Sequence, residues 1–383
     1  MHRTKLPPLP SYKLITGPHG WDACLAALQA EPRLAFDLEA NSMFAYRESI
    51  CLIQVSTPTQ DYILDPLKLD LAPLGVIMAD TAVEKIFHAA EYDLILMKRE
   101  HGWELNNLFD TMWAARILGY PRYGLASLLE ELYRVTLDKR FQKSNWCKRP
   151  LTHAQLSYAQ LDTHYLLRLR DDLDRELHAA GHAREAAEIF HEQTQVKVNN
   201  NNHNAFDPDN FWSINGAYDL TQAQQAVLKA LNVYRDQEAR RRDQPLFKIF
   251  SDRTLLELAR ALPASRDALG EVHGMSHGQV QRYGRHLLQI ITENKEAPAP
   301  NHPTRARRQP EAVITRYEKL HNWRKRRAQA RGVESDVIIS REALWEIARA
   351  NPQNAAELCE LPHVGAWRCE TYGAEILALL RRR

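Results

Sequence analysis

A chain of 383 residues with 44% apolar residues has room for two or three domains, each with a sizeable core, and its makeup excludes a low-complexity or fibrous protein. The formal charge is only +2 but uneven: residues 301–383 hold 16 Lys and Arg against 10 Asp and Glu, a net of +6, which leaves −4 for residues 1–300. An acidic front suits a cation site, and a basic rear suits nucleic acid or a solvated helix face. Cysteines 24, 51, 147, 359 and 369 form no Cys-x-x-Cys, which argues against structural zinc and for free thiols in a reducing compartment. The start lacks the apolar core of a signal peptide, and no apolar run approaches the ~20 residues that span a bilayer. A cytoplasmic protein without a membrane partner is expected.

In chain order, residues 34–39, 50–56, 61–64 and 84–89 have strand character. Three come close together before any long helix, which favours an antiparallel meander over repeated βαβ units. Helices are predicted near 92–100, 110–118, 124–134 and 152–178. The last has Pro150 ahead of it and a Thr152/Gln155 capping box at its start. The run Val198-Asn-Asn-Asn-Asn-Asn-His-Asn204 reads as a linker, and Glu296-Ala-Pro-Ala-Pro-Asn-His-Pro-Thr304 as a proline-rich spacer long enough for independent motion.

Around these breaks lies an internal repeat. An offset of 89 residues matches Leu231 to Leu320, Arg235 to Arg324, Ser251 to Ser340 and Leu255 to Leu344. It also carries Glu257-x-Ala259-Arg260-Ala261-x-Pro263 onto Glu346-x-Ala348-Arg349-Ala350-x-Pro352, and Tyr283-Gly284 onto Tyr372-Gly373. This is a duplicated helical module, and its aromatic position (Tyr234, Trp323) is expected in the core. The expected layout is 1–195 an α/β domain, 196–215 a linker, 216–295 the first module, 296–310 a linker and 311–383 the second module.

Side chains alternate along a strand, so Asp37 and Glu39 share one face while Phe36 and Leu38 take the other. Asp93 follows the apolar stretch 86–90 at a strand-to-helix junction. Tyr158 and Asp162 are i and i+4 on one helix, hence neighbours. Each motif alone also fits a blander role: a solvated strand face, a residue favouring a helix N-terminus, a common helical spacing. Carboxylates gathered together repel by about 1–4 kcal/mol per pair at ~4 Å unless cations lie between them. Four carboxylates balance two divalent ions, as two-metal phosphodiester chemistry requires.

The flanking words narrow the reading. Phe36-Asp-Leu-Glu39, His88-Ala-Ala-Glu-Tyr-Asp93 and Leu156-Ser-Tyr-Ala-Gln-Leu-Asp162 resemble the three exonuclease motifs of the DEDD superfamily, tyrosine subtype. Phe109-Asp-Thr-Met-Trp-Ala-Ala-Arg-Ile-Leu118, Leu125-Ala-Ser-Leu128 and Gln142-Lys-Ser-Asn-Trp-Cys-Lys-Arg-Pro-Leu151 are similar to ribonuclease D, and the duplicated module resembles the helicase-and-RNase-D C-terminal (HRDC) domain. Leu38 stands where a small or hydroxyl residue is common, and Asn145 where an Asp is usual.

The resemblance implies an α/β ribonuclease H-like exonuclease domain, a mixed sheet flanked by helices, followed by two all-α HRDC bundles. It implies removal of nucleotides from RNA 3′ ends, releasing 5′-phosphomononucleotides, with two Mg²⁺ or Mn²⁺ held by Asp37, Glu39, Asp93 and Asp162. Tyr158 would orient the attacking water, and Glu39 would sense the 3′-hydroxyl. Transfer RNA precursors with 3′ extensions are the expected partners. Lys143, Lys148, Arg149, Arg324, Arg326 and Arg327 are candidate RNA contacts. His88 reads as a helper or a core residue; Cys51 and Gln54 read as sheet packing. A DNA exonuclease on the same fold and an inactive RNA-binding adaptor are the competing readings. No Gly-x-x-x-x-Gly-Lys-Ser/Thr loop is present, so no nucleotide cofactor is expected.

Overall fold

A computed structural model of the chain describes residues 9–198, 206–303 and 309–381. It divides into two compact units. One takes the described residues up to Ala40, Ile50–Val198 and those from Gln309 on; the other takes Asn41–Ser49 and the described residues between Asn199 and Arg308.

In the first unit, apolar alternation builds a six-stranded mixed sheet. The elements are β1 (Lys13–Ile15), α1 (Pro18–Gln29), β2 (Arg33–Ala40), β3 (Ile50–Ser56), β4 (Asp61–Leu64), α2 (Ala72–Ala79), β5 (Glu84–Phe87), α3 (Glu91–His101), β6 (Leu108–Asp110), α4 (Thr111–Ile117), α5 (Leu125–Tyr133), α6 (His153–His164), α7 (Leu166–Ala179) and α8 (Ala183–Thr194). The sheet order is β1-β4-β3-β2-β5-β6. The expected meander β2-β3-β4 is antiparallel, and β5 and β6 add in parallel on the other side of β2. Leu34, Phe36 and Leu38 enter a core shared with α1, α2 and α3. Ala35 and Ile86 face the opposite way, into a second core with α4, α7 and α8. Helices thus cover both faces of the sheet, as a largely buried mixed sheet requires.

The repeat keeps its offset in three dimensions. The first module holds α9 (Gln222–Arg242), α10 (Leu246–Ile249), α11 (Asp252–Ala261), α12 (Arg266–Gly270) and α13 (His277–Asn294). The second holds α14 (Glu311–Arg331), α15 (Ser335–Ile338), α16 (Arg341–Ala350), α17 (Ala355–Cys359) and α18 (Ala366–Arg381). Trp323 is buried, its indole N–H donating to Glu375 at 2.8 Å; Tyr234 packs against its module's core from a half-buried position. Residues 199–205, within the predicted linker 196–215, and 304–308, within the predicted linker 296–310, lie outside the described residues. Just after the first of these stretches, the 3-10 turn Pro208–Ser213 places Phe211 and Trp212 in the core of the first module. Within that same unit, Tyr46 of the segment Asn41–Ser49 donates from its hydroxyl to Asp236 and from its backbone N–H to Asp243.

The second module is fastened to the sheet-bearing part of its own unit. Val337 enters the core of α4, α7 and α8. Arg116 of α4 pairs with Glu334 at 2.5 Å and Asp336 at 2.7 Å, and Arg331 pairs with Glu185 of α8 at 2.5 Å. Fully buried Arg368 reaches Glu192 at 2.7 Å, while Glu188 accepts the backbone N–H groups of Trp367 and Arg368 at the start of α18.

The cysteines correct the expectation of free thiols. Cys51 is bonded to Cys147 and Cys359 to Cys369, with Cα atoms 4.8 and 5.5 Å apart, and only Cys24 is free and buried. The first pair joins β3 to a loop 96 residues on, a proximity that local Cys spacing cannot reveal.

Candidate active site

The centre of the sheet and α6 bring the predicted carboxylates together. One carboxylate oxygen from each of Asp37, Glu39 and Asp162 lies within 4.8 Å of the others. Asp93 is in the first turn of α3 and buried, and its charge bears on Glu39 as that of Asp37 bears on it. Tyr158 lies one turn before Asp162 on α6, close enough that each shifts the other's hold on its proton.

Burial pushes every member of the cluster upward, and repulsion adds to it at Glu39, Asp93 and Asp162. Burial lifts the Asp37 carboxyl to about 7. Burial, reinforced by Asp37, Asp162 and Asp93, lifts Glu39 to about 10. Asp93 and Asp162 move well above the usual carboxylate range, first through burial and then through Asp37. Burial and the Asp162, Glu39 and Asp37 charges also raise the Tyr158 hydroxyl, which excludes a phenolate base at neutral pH. Such a cluster is costly as bare anions and suited to cations: all its donors are hard oxygens, the preference of Mg²⁺ and Mn²⁺. Gln54 adds to that fit. It pairs directly with Asp37 across β2 and β3, so both side chains share a face. It is fully buried, and among the described residues neither amide atom has a hydrogen-bond partner.

Asp110 organises the second motif. Its buried carboxylate accepts from the N–H groups of Ala89 (3.1 Å) and Ala90 (2.8 Å), and from those of Met112 (2.8 Å) and Trp113 (3.1 Å) at the start of α4. Ala89 has a left-handed φ of 66°, so the turn that launches α3 and presents Asp93 is held by this acceptor. His88 bonds the Thr111 hydroxyl at 2.9 Å, and burial lowers it to about 4; it is a neutral packing residue.

Asp61 does the same for α6 from behind. It accepts from Ser56 at 2.7 Å, Gln160 at 2.6 Å and His164 at 2.8 Å. Burial pushes its carboxyl up, but these hydrogen bonds prevail and hold it below its usual range. At the front, the Tyr158 ring packs 6.0 Å from both Phe141 and Trp146, in the loop that Cys147 ties to β3.

The predicted RNA contacts divide. Lys143, Lys148 and Arg326 are exposed. Arg149 is a strut: it forks onto Asp65 at 2.8 and 2.9 Å and donates to the Cys51 carbonyl. Arg324 donates to the Ile339 carbonyl at 3.2 Å, and Arg327 pairs with Glu375. Sequence reasoning missed Asp110, Asp61 and the orphaned Gln54. The first stood in the phrase Phe109-Asp-Thr, and Gln54 was findable from its register opposite Asp37.

Residues 12–178 match the family model described as 3′-5′ exonuclease, and residues 224–291 and 314–380 each match the HRDC domain. The chain is 30% identical to Ribonuclease D of Acidiphilium cryptum, over 97% of this chain and 94% of that protein. It is 28% identical to Ribonuclease D of Granulibacter bethesdensis, over 99% and 95%. Among solved structures, it is similar to Escherichia coli RNase D, described as an exoribonuclease involved in structured RNA processing, with a TM-score of 0.67, 27% identity, and coverage of 97% of this chain and 99% of that one.

Proposed function

Since the chain belongs to the ribonuclease D family and is a 3′-5′ exoribonuclease, we propose that it trims 3′ extensions from structured RNA, transfer RNA precursors above all, using Asp37, Glu39, Asp93 and Asp162 as metal ligands. The carrying observation is the convergence of Asp37, Glu39 and Asp162 within 4.8 Å beside Tyr158. Divalent cations, two by the charge of the four carboxylates, would neutralise the phosphodiester and lower the pKa of water. Tyr158, its own proton held tightly, positions the nucleophile by a hydrogen bond and does not serve as a base. Glu39, the outermost of the two β2 carboxylates along the strand, is placed to accept from a terminal 3′-hydroxyl. Exposed Lys143, Lys148 and Arg326 supply phosphate contacts.

The test is a time course on a 3′-extended transfer RNA precursor and a DNA strand of equal length, with Mg²⁺, with Mn²⁺ and with chelator. Stepwise shortening of the RNA is expected, lost with chelator and in Asp93→Asn and Asp162→Asn. Equal shortening of DNA would overturn the RNA preference, and undiminished cleavage by either variant would overturn the ligand assignment.

A further inference from the structure

The two helical modules differ on one face. In the first, Leu228 of α9 and Leu256 of α11 are buried in one apolar cluster with Phe211, Trp212 and Ile214, side chains of the preceding segment. That segment lies so close that a Cβ on Gly216 would sit 3.0 Å from Leu256. Adding the 89-residue offset, the same positions in the second module are Tyr317 on α14 and Trp345 on α16. These two rings are only half-buried and stack on each other, with centroids 3.8 Å apart and planes 11° from parallel.

Among the described residues, Trp345 lines an open cleft of about 870 Å³ with Lys197, Arg341, Arg349, Glu342 and Glu346. Arg341 stands where the first module has Asp252, so the charge at that position is reversed between copies. Of the two carboxylates, Glu346 is engaged by His363, accepting from its backbone N–H at 3.1 Å and lying 3.0 Å from its ring nitrogen. Three cationic side chains thus meet two carboxylates, a net of +1, beside the Trp345 ring. A ring at the edge of a cationic groove is the arrangement that holds single strands, because every base offers a π face and every linkage a negative charge.

We propose that this cleft binds a single-stranded segment of the RNA, with a base stacked on Trp345 and backbone phosphates on Lys197, Arg341 and Arg349. The ligand class rests on the exoribonuclease reading above. Among the described residues, the first module closes this face with its own chain and the second does not.

The repeat itself supplies variants compatible with the fold. Tyr317→Leu with Trp345→Leu installs the residues of the first module, and Arg341→Gln with Arg349→Gln alters exposed positions, giving up one hydrogen bond from Arg349 to the Trp345 carbonyl. Binding of a 5′-fluorescent 12-nucleotide oligouridine is measured by anisotropy in chelator on the full chain, beside cleavage of the same strand with Mg²⁺. The leucine pair is expected to weaken binding roughly tenfold or more, the loss of one stacked base. The glutamine pair is expected to lower the salt slope of log affinity by about 1.4, two phosphate contacts on a single strand. In both, KM should rise while kcat holds. Wild-type affinity and salt slope in both variants, with wild-type cleavage intact, would overturn the cleft and leave the nuclease reading standing. A wild-type chain that neither binds nor shortens the strand would overturn both.

Discussion

Tyr158 is the residue whose role the geometry limits most sharply. It neighbours Asp162 on one helix face and its proton is held firmly, so it can orient but not abstract. Tyr158→Phe is expected to lower kcat about 10²-fold, the scale of a mispositioned reactant, while the Mn²⁺ dependence of the rate stays unchanged. A shifted metal dependence would make it a ligand-shell residue instead. The carboxylates carry a pH prediction. The metal-free Asp37 and Glu39 carboxyls sit near 7 and 10, against about 4 in the unfolded chain. The folded state thus holds protons that the unfolded state releases. The stability linked to them is complete below about pH 4 and is lost as pH rises through 7 toward 10. In chelator, the melting temperature should fall between pH 5 and 8. Asp37→Asn should flatten that fall and raise the pH 8 value by about 2–4 °C for each kcal/mol of repulsion relieved. Identical slopes in scanning calorimetry would refute the electrostatic account. At this scale the sequence was most legible: Asp37, Glu39 and Asp162 converge within 4.8 Å, while Asp93 lies outside that group and bears on it through its charge. Gln54 was read as packing because its position in the ladder, not its neighbours in sequence, makes it exceptional.

Among the elements, strands with clean apolar runs were legible and short or uncapped ones were not. The segment 110–118, read wholly as helix, begins with Asp110 at the end of β6, whose three residues are too few to show a period. No helix was read at α1, whose Gly17 N-cap offers no side-chain hydrogen bond. The single helix predicted over 152–178 divides at Tyr165 into α6 and α7, although its capping box at Thr152 and Gln155 is present. Because Asp110 joins β6, α4 and the turn before α3, Asp110→Ala orphans four N–H groups, that of Ala90 buried and those of Ala89, Met112 and Trp113 part-buried. It should cost about 3 kcal/mol or more in urea unfolding, at ~1–3 kcal/mol for each unsatisfied donor less relaxation. Asp110→Asn, which keeps one acceptor, should cost less. Equal stability of Asp110→Ala and wild type would show that water replaces the carboxylate.

For the whole molecule, the duplication was legible because it holds register at 89 residues, but its consequences were not. The basic character of the second module suggested free arms for RNA, yet Arg324, Arg327, Arg331 and Arg368 bond within the unit. Charge in a sequence does not say whether a partner is solvent, substrate or the protein itself. Arg368→Met should therefore destabilise by about 3–5 kcal/mol, because Glu188 and Glu192 lose a buried counter-ion. Arg326→Met, at an exposed position, should change stability by less than ~0.5 kcal/mol. Equal urea midpoints for the two variants would contradict the docking described.

The placement of β2 has a dynamic consequence. It is paired to β5 over Arg33–Ala35 and to β3 over Ala35–Ala40, in the interior of the sheet, so its amides should be among the slower ones of the unit to exchange with solvent. Asp37 and Glu39 ride on this interior strand, whereas Asp162 rides on a helix held largely by side chains such as Asp61. A partial opening that lifts α6 would split the ligand set while the sheet persists. Nuclease action should then fade under mild denaturant before the fold does, which makes the centre a fuse that fails ahead of the protein around it.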